Sequence, residues 1–444
     1  MKKIICIVVT CFLLMLGCQP TPTEEAVINR GDGVLERTVR ANPVDPYSYE
    51  APTRWEETYF AREQEIRFST DIELPNTQKH PVTTIKLRTF SSKDIIAFLQ
   101  SLCPGDWLIR DSEYSFDELM TDLQNVSKGT FVGVNEETGE LIWEPYEGQE
   151  EEMERLQALI AATPPEDTYV PLSENRLAIP INRQRIKDST GKTWYLFGNK
   201  SLITLHRYRD GNIQMENWVM QGDATPGEKA HTLDNIKISD TEAIQKGNEI
   251  IDALGFTDFR VADIQKARET QSYTYSVYGE GYWLTYVPTL DGSIPCYYGN
   301  YVDPDFLNFT QEGNATYAPD WPQEHIQMFI TEEGVLFLSW AAPKEKVLIA
   351  NENVQLLPFD EIQRNIKKLL EYGTGGNKGS AILVKRIVLT TSIAQIPNQG
   401  DEAFLVPTWA VFLTSETNEK LNIDMGVLLI NALDGTYINR FGQQ

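Results

Sequence analysis

The apolar positions of this chain fall mostly in short alternating runs broken by turn residues, and only a few stretches carry the period of a helix. From Gln19 to about Thr53 periodicity is weak. Pro20, Pro22, Pro43, Pro46 and Pro52 interrupt helix and remove backbone donors there, which predicts a disordered N-terminal tether. Strands are predicted over Tyr59–Ile72 and Pro81–Arg88. Helices are predicted to open at Ser91-Ser92-Lys93-Asp94 and at Ser115-Phe116-Asp117-Glu118, the second with the serine–glutamate spacing of a capping box. Phe131–Val134 and Leu141–Trp143 then pair around Glu137-Thr138-Gly139, and an acidic helix runs from Gln149 to Ala162 and stops at Pro164-Pro165.

The next stretch opens on hairpin signals. Thr193–Phe197 turns through Gly198-Asn199 into Leu202–Tyr208, and Asp210-Gly211 predicts a second tight turn into Ile213–Met220. Ser239-Asp240-Thr241-Glu242 is another capping box; it launches a helix with Ile244, Gly247, Ile251 and Leu254 on one face, stopped by Gly255. Three strands are expected after it, Phe256–Ile264, Ser272–Tyr278 and Tyr282–Thr289. The plan then repeats. A hairpin turns at Glu333-Gly334, a helix carries Phe359, Ile362, Ile366 and Leu369, and strands follow over Ile382–Thr390, Phe404–Leu413 and Met425–Ala432. Leu290-Asp291-Gly292-Ser293 and Leu433-Asp434-Gly435-Thr436 echo one another, which reads as a degenerate internal duplication.

The pattern defines an α+β protein: two or three units of mainly antiparallel sheet, each packed with one or two helices, after the tether. The 444 residues exceed what one hydrophobic core usually holds. The expected division is 1–17, a leader; 18–54, the tether; 55–165, an N-terminal domain; 166–320, a middle domain; and 321–444, a C-terminal domain.

The leader changes the picture most. Lys2 and Lys3 precede Ile4–Leu16, a run without charge that is too short to span a bilayer, and Met15-Leu16-Gly17-Cys18 closes it. The ending resembles a bacterial lipobox, although Met15 stands where that motif prefers leucine. The resemblance implies that Cys18 is acylated and anchors the protein to the outer face of the cell membrane through its lipid. The alternative is an ordinary signal peptide with an incidental cysteine. The chain carries a net charge of −25, and losing Lys2 and Lys3 makes it −27. So acidic a chain is repelled by phosphate backbones, which argues against nucleic-acid binding.

Of the remaining cysteines, Cys103 and Cys296 could form a disulfide in an oxidising compartment or be two unrelated buried thiols. No Cys-x-x-Cys, His-Glu-x-x-His or Gly-x-Ser-x-Gly occurs, so the sequence nominates no metal ligand, cofactor or catalytic residue. The Gly373–Ser380 loop has Lys378-Gly379-Ser380 in the wrong order for a phosphate loop, and runs from helix to strand. The one candidate binding surface is aromatic: Tyr273, Tyr275, Tyr282, Trp283, Tyr286, Tyr297 and Tyr298 offer amphipathic area for a peptide or sugar. The competing account is cross-strand packing inside a sheet.

The helix-plus-antiparallel-sheet unit resembles PepSY-like domains, and the residues that carry the likeness lie mostly in the C-terminal unit: Val406-Pro407-Thr408-Trp409 and Leu429-Ile430-Asn431-Ala432-Leu433-Asp434-Gly435. The whole chain from Cys18 onward also looks like lipoproteins of Gram-positive bacteria that accompany sensor kinases. These resemblances imply a non-catalytic binding or regulatory module for an envelope protein or peptide. A cell-envelope hydrolase and a solute-binding lipoprotein are the alternatives, the latter disfavoured by hairpins where βα alternation is expected.

Overall fold

The computed structural model of the protein describes residues 34–61, 64–112, 114–134, 138, 141–207, 216–220, 233–271, 277–290, 292–298, 315–319, 321–373, 381–396, 400–416 and 426–439. The chain enters through a short helix α1 (Val34–Arg40), and then β1 (Arg54–Ala61), β2 (Gln64–Glu73) and β3 (Val82–Leu87) lead to α2 (Ser92–Leu102) and β4 (Leu108–Arg110). An excursion of α3 (Phe116–Lys128), β5 (Thr130–Val134), β6 (Leu141–Glu144) and α4 (Gln149–Ala162) returns at β7 (Tyr169–Pro171). Next come β8 (Ile181–Lys187), β9 (Thr193–Gly198), β10 (Leu202–Arg207), β11 (Glu216–Met220) and α5 (Asp240–Ala253). After it run β12 (Phe259–Gln271), β13 (Val277–Pro288), β14 (Ala315–Tyr317), β15 (His325–Thr331), β16 (Gly334–Ala341) and β17 (Lys344–Asn351). The helix α6 (Phe359–Gly373) leads into β18 (Ile382–Gln395), β19 (Glu402–Ser415), β20 (Gly426–Asn431) and β21 (Tyr437–Asn439).

These strands make two large sheets, so the α+β class read from the sequence holds. The first runs β1-β2-β18-β19-β20-β21-β14, with β3 pairing both β19 and β17. The second runs β11-β12-β13-β15-β16-β10-β9-β8-β4-β7. Pairing is antiparallel except for β2 with β18 and β14 with β21. Over the first sheet lies α6, whose Ile362, Ile366, Leu369 and Leu370 are fully buried with Trp409 in one core. Burying each such side chain contributes about 1.5–3 kcal/mol, which is why the amphipathic helix signal was legible. Against the second sheet lie α2 and α5, sharing a core with Leu196, Ile203, Leu205, Leu284 and Tyr286.

Local chemistry formed as read. Ser115 with Glu118 and Ser239 with Glu242 each make the reciprocal capping box, and Ser91, where the sequence predicts only a helix start, makes a third with Asp94. Gly255 takes the positive φ of 75° that ends α5. In both sheets a helix, α5 or α6, precedes a set of antiparallel strands.

Long-range pairing departs from the reading in five places. First, sheet membership crosses the boundaries expected at 165 and 320: β1, β2 and β3 belong to the same sheet as β18–β21, and β4 and β7 join β8 and β15. The reason is edge coverage, since β2 lies beside β18 and satisfies backbone groups that the C-terminal meander would leave open. Second, the tether does not extend to residue 54. Leu35 and Val39 are buried in the first core, and the Tyr47 and Tyr49 hydroxyls donate to the carbonyls of Val354 (3.1 Å) and Leu357 (2.8 Å). Asn353 Nδ2 donates to the carbonyls of Val44 and Asp45, so prolines that forbid helix here shape a strap against the fold. The earlier part of the tether, with the leader and Cys18, lies outside the described residues.

Third, Tyr59–Ile72 is a hairpin instead of one strand. Fourth, among the described residues β11 pairs with β12 and not with β10; the turn expected at Asp210-Gly211 lies outside them. Fifth, two long strands, β12 and β13, replace the three expected after α5.

Candidate functional site

Four segments carry the chain between the two sheets: residues 88–91, 289–298, 318–324 and 342–344. All four are tied to their surroundings by backbone bonds, Ala318 N donating to Asn439 O (2.8 Å) in the third. Arg88 N donates to Pro343 O (2.9 Å), Thr289 N to Asp258 O (2.8 Å) and Ala342 N to Ser201 O (2.7 Å). Ala342 takes a φ of 51°, a conformation unusual for alanine, at the sharp crossing from β16 into β17. These crossings enclose a cleft of about 350 Å³ between the sheets.

Apolar walls come from both sides. Ile85, Ile393 and Leu405 line it from the first sheet, and Phe256, Phe259 and Trp340 from the second. Trp340 is held edge-on by Phe90 (4.8 Å between centroids) and Phe256 (4.6 Å). Tyr298 closes one end, its hydroxyl donating to Ser392 Oγ (2.9 Å) and its amide to Gln323 Oε1 (2.9 Å). At the rim Lys346 Nζ lies 2.8 Å from Asp258 Oδ2, an ion pair joining the two lobes across the opening.

Two charged groups of opposite sign meet among these walls. Glu324 is 7% exposed, and its Oε1 accepts from the Trp340 indole N–H at 3.1 Å. Burial pushes its carboxyl well above the ordinary carboxylate range, and the negative charge of Asp258 pushes the same way. The positive charge of Lys344, the indole and the Lys344 backbone amide oppose that rise. The Lys344 ammonium donates to the carbonyls of Pro322 (2.7 Å) and Ala342 (3.1 Å), and burial lowers its pKa. An ammonium has three N–H donors, and these two bonds use two of them. The cleft therefore offers an apolar slot with a donor and an acceptor at one end.

Among the described residues, the candidate aromatic surface follows the competing account, packing inside the sheet. Within β13, Tyr286 is fully buried beneath α5, with its hydroxyl 3.1 Å from Asn248 Oδ1. Trp283 points to the opposite face and is buried against Phe337, 5.0 Å away. Both faces of this strand are covered, so alternation hides its aromatics from solvent whichever way they point. Tyr282 is half-buried, and Tyr297 is buried beside His325 at 5.0 Å. Tyr273 and Tyr275 lie outside the described residues. Of the five described candidates, Tyr298 lines the cleft.

Of the two readings of the cysteines, the structure has the unrelated thiols. Cys103 and Cys296 are both free thiols. Cys103 ends α2 beside Ser189 Oγ (3.3 Å) and packs against the second core, whereas Cys296 is buried in the first, where desolvation pushes its thiol up to about 12. Asp434 is the turn former expected, its Oδ1 accepting from the Thr436 amide (3.0 Å) and hydroxyl (2.6 Å).

Sequence reading missed Glu324, Lys344, Trp340, Phe256 and Phe259. They come from three stretches, 256–259, 324 and 340–344, and no local spacing joins one stretch to another. One signal was available: an acid and a lysine flank the β15–β16 hairpin, beside residues otherwise apolar.

No family model matches the chain, and no curated protein matches it. Among solved structures, an uncharacterized protein from Eubacterium rectale is similar over 92% of this chain and 99% of its own, at 11% identity and a TM-score of 0.45. Nothing about this chain follows from a likeness of that degree.

Proposed function

We propose that this is a membrane-anchored extracytoplasmic lipoprotein acting, without catalysis, as a binding or regulatory module for an envelope protein or peptide. The observation that carries the binding role is the inter-sheet cleft. Its volume lies in the range of small-ligand sites, its walls are apolar and aromatic, and a carboxyl and an ammonium sit together at one end. A peptide group carries one N–H and one C=O, so a short peptide matches that end while an apolar side chain fills the slot. The anchoring role rests on the Lys2-Lys3 start, the apolar run and Cys18.

Titration with a panel of N-acetylated dipeptide amides, followed by tryptophan fluorescence, tests the cleft. Apolar members are expected to give a saturable change that Leu405→Asp weakens at least tenfold. Absence of saturable binding by every member, or equal binding by the variant, refutes the site. Metabolic labelling with a palmitate analogue tests the anchor independently: label on the native chain and none on Cys18→Ser is expected, and an unlabelled native chain refutes it.

A further inference from the structure

Between β4 and β7 the chain leaves the second sheet and comes back to the same place, Arg110 lying opposite Tyr169. The excursion is fixed at its root. Arg110, whose side chain is fully buried, donates to Glu118 Oε2 at 2.7 Å, and Arg185 donates to Asp167 Oδ2 at 2.7 Å. At its far end stands a two-stranded sheet of β5 and β6 that pairs with no other strand among the described residues. Such a hairpin ordinarily covers a core. This one does not: Phe131, Val132, Leu141, Ile142, Trp143 and Tyr146 are 39–57% exposed, while Leu119 and Leu156 are the apolar side chains that α3 and α4 bury.

We propose that the β5–β6 hairpin is a docking surface for a partner protein that presents an apolar patch ringed by basic side chains. The apolar half of the argument is the exposed set of apolar side chains on these two short strands, with Phe131 and Trp143 paired across them at 5.6 Å. The basic half is charge complementarity. Residues 111–168 contain sixteen acidic and two basic side chains, a net −14 out of −25 for the whole chain. Glu144, Glu147, Glu150, Glu151 and Glu154 are exposed beside the hairpin, so the apolar patch sits in a concentrated negative field. That field repels a second copy of this chain and an anionic bilayer alike, and attracts a cationic surface. The ion-paired root holds the patch in one orientation, which lowers the ordering cost of association. The surface is separate from the inter-sheet cleft, and either can fail without the other.

The test uses the full chain carrying Cys18→Ser, so that no acyl chain contributes, and an amphipathic helical peptide of leucine and lysine as the probe. Binding is read from the emission of Trp143, isolated by difference from Trp143→Phe. Micromolar binding is expected, weakened at least tenfold by Leu141→Ser/Ile142→Ser, by Glu150→Lys/Glu151→Lys, and by substituting a leucine–glutamate peptide. Glu352→Lys, an exposed change in the other lobe, is expected to alter it less than twofold. Circular dichroism is expected to be unchanged in the hairpin variant, because the replaced side chains are exposed. Equal binding of the two peptides, or of native and hairpin variants, overturns the proposal. So does a Trp143 shift with phosphatidylcholine vesicles in place of the peptide, which makes the hairpin a membrane contact. A dimer in sedimentation velocity that Leu141→Ser/Ile142→Ser disperses overturns it too, in favour of self-association.

Discussion

Replacing Glu324 by glutamine separates burial from charge in the cleft. Burial raises the Glu324 carboxyl from the ordinary 4.5 to about 7. A carboxyl raised on folding holds its proton more tightly in the folded chain. Its contribution to stability is complete below pH about 4.5 and is lost as pH rises through about 7. Lys344 behaves oppositely: lowered from 10.5 to about 8, its contribution is complete above 10.5 and is lost as pH falls through 8. Glutamine mimics the protonated carboxyl and still accepts from the Trp340 indole. At pH 4, below the ordinary carboxylate value, Glu324→Gln and the native chain should therefore unfold at nearly the same urea concentration. At pH 8 the variant should be more stable by about 1–3 kcal/mol. The lower figure applies because the Lys344 ammonium then keeps its two carbonyls but loses the opposing charge. Urea unfolding followed by tryptophan fluorescence at the two pH values measures the difference. An advantage absent at pH 8, or equal at both values, refutes the assignment of a buried, proton-retaining carboxyl.

Arg110→Ala leaves Glu118 buried without its closest cation and should cost about 3–5 kcal/mol, with hydrogen exchange accelerating in α3, β5, β6 and α4 but not in β18–β20. Gly281→Ala sets a Cβ 2.1 Å from Ile330 O in the β13–β15 pairing, and should lower unfolding stability by about 2 kcal/mol, as read by urea titration. Iodoacetamide at pH 8 followed by peptide mapping should label Cys103 in the native chain and Cys296 only after unfolding; a Cys103–Cys296 linked peptide would contradict the two-core arrangement.

What the sequence determined by itself is everything set within a few residues. The capping boxes at Ser115 and Ser239, the buried faces of α5 and α6, the turn at Asp434-Gly435 and the β15–β16 hairpin are each legible because a side chain meets a backbone group or an apolar stripe three or four positions away. Tertiary structure decided the rest. Whether β2 would lie beside β18, more than 300 residues later, depends on which open edge it could cover. Whether the tyrosines of β13 would face solvent depends on α5 above them and the Phe337 cluster below, which lie elsewhere in the sequence. Glu324 and Lys344 acquire shifted proton affinities only where two sheets close around them, since desolvation belongs to the surroundings and not to the residue.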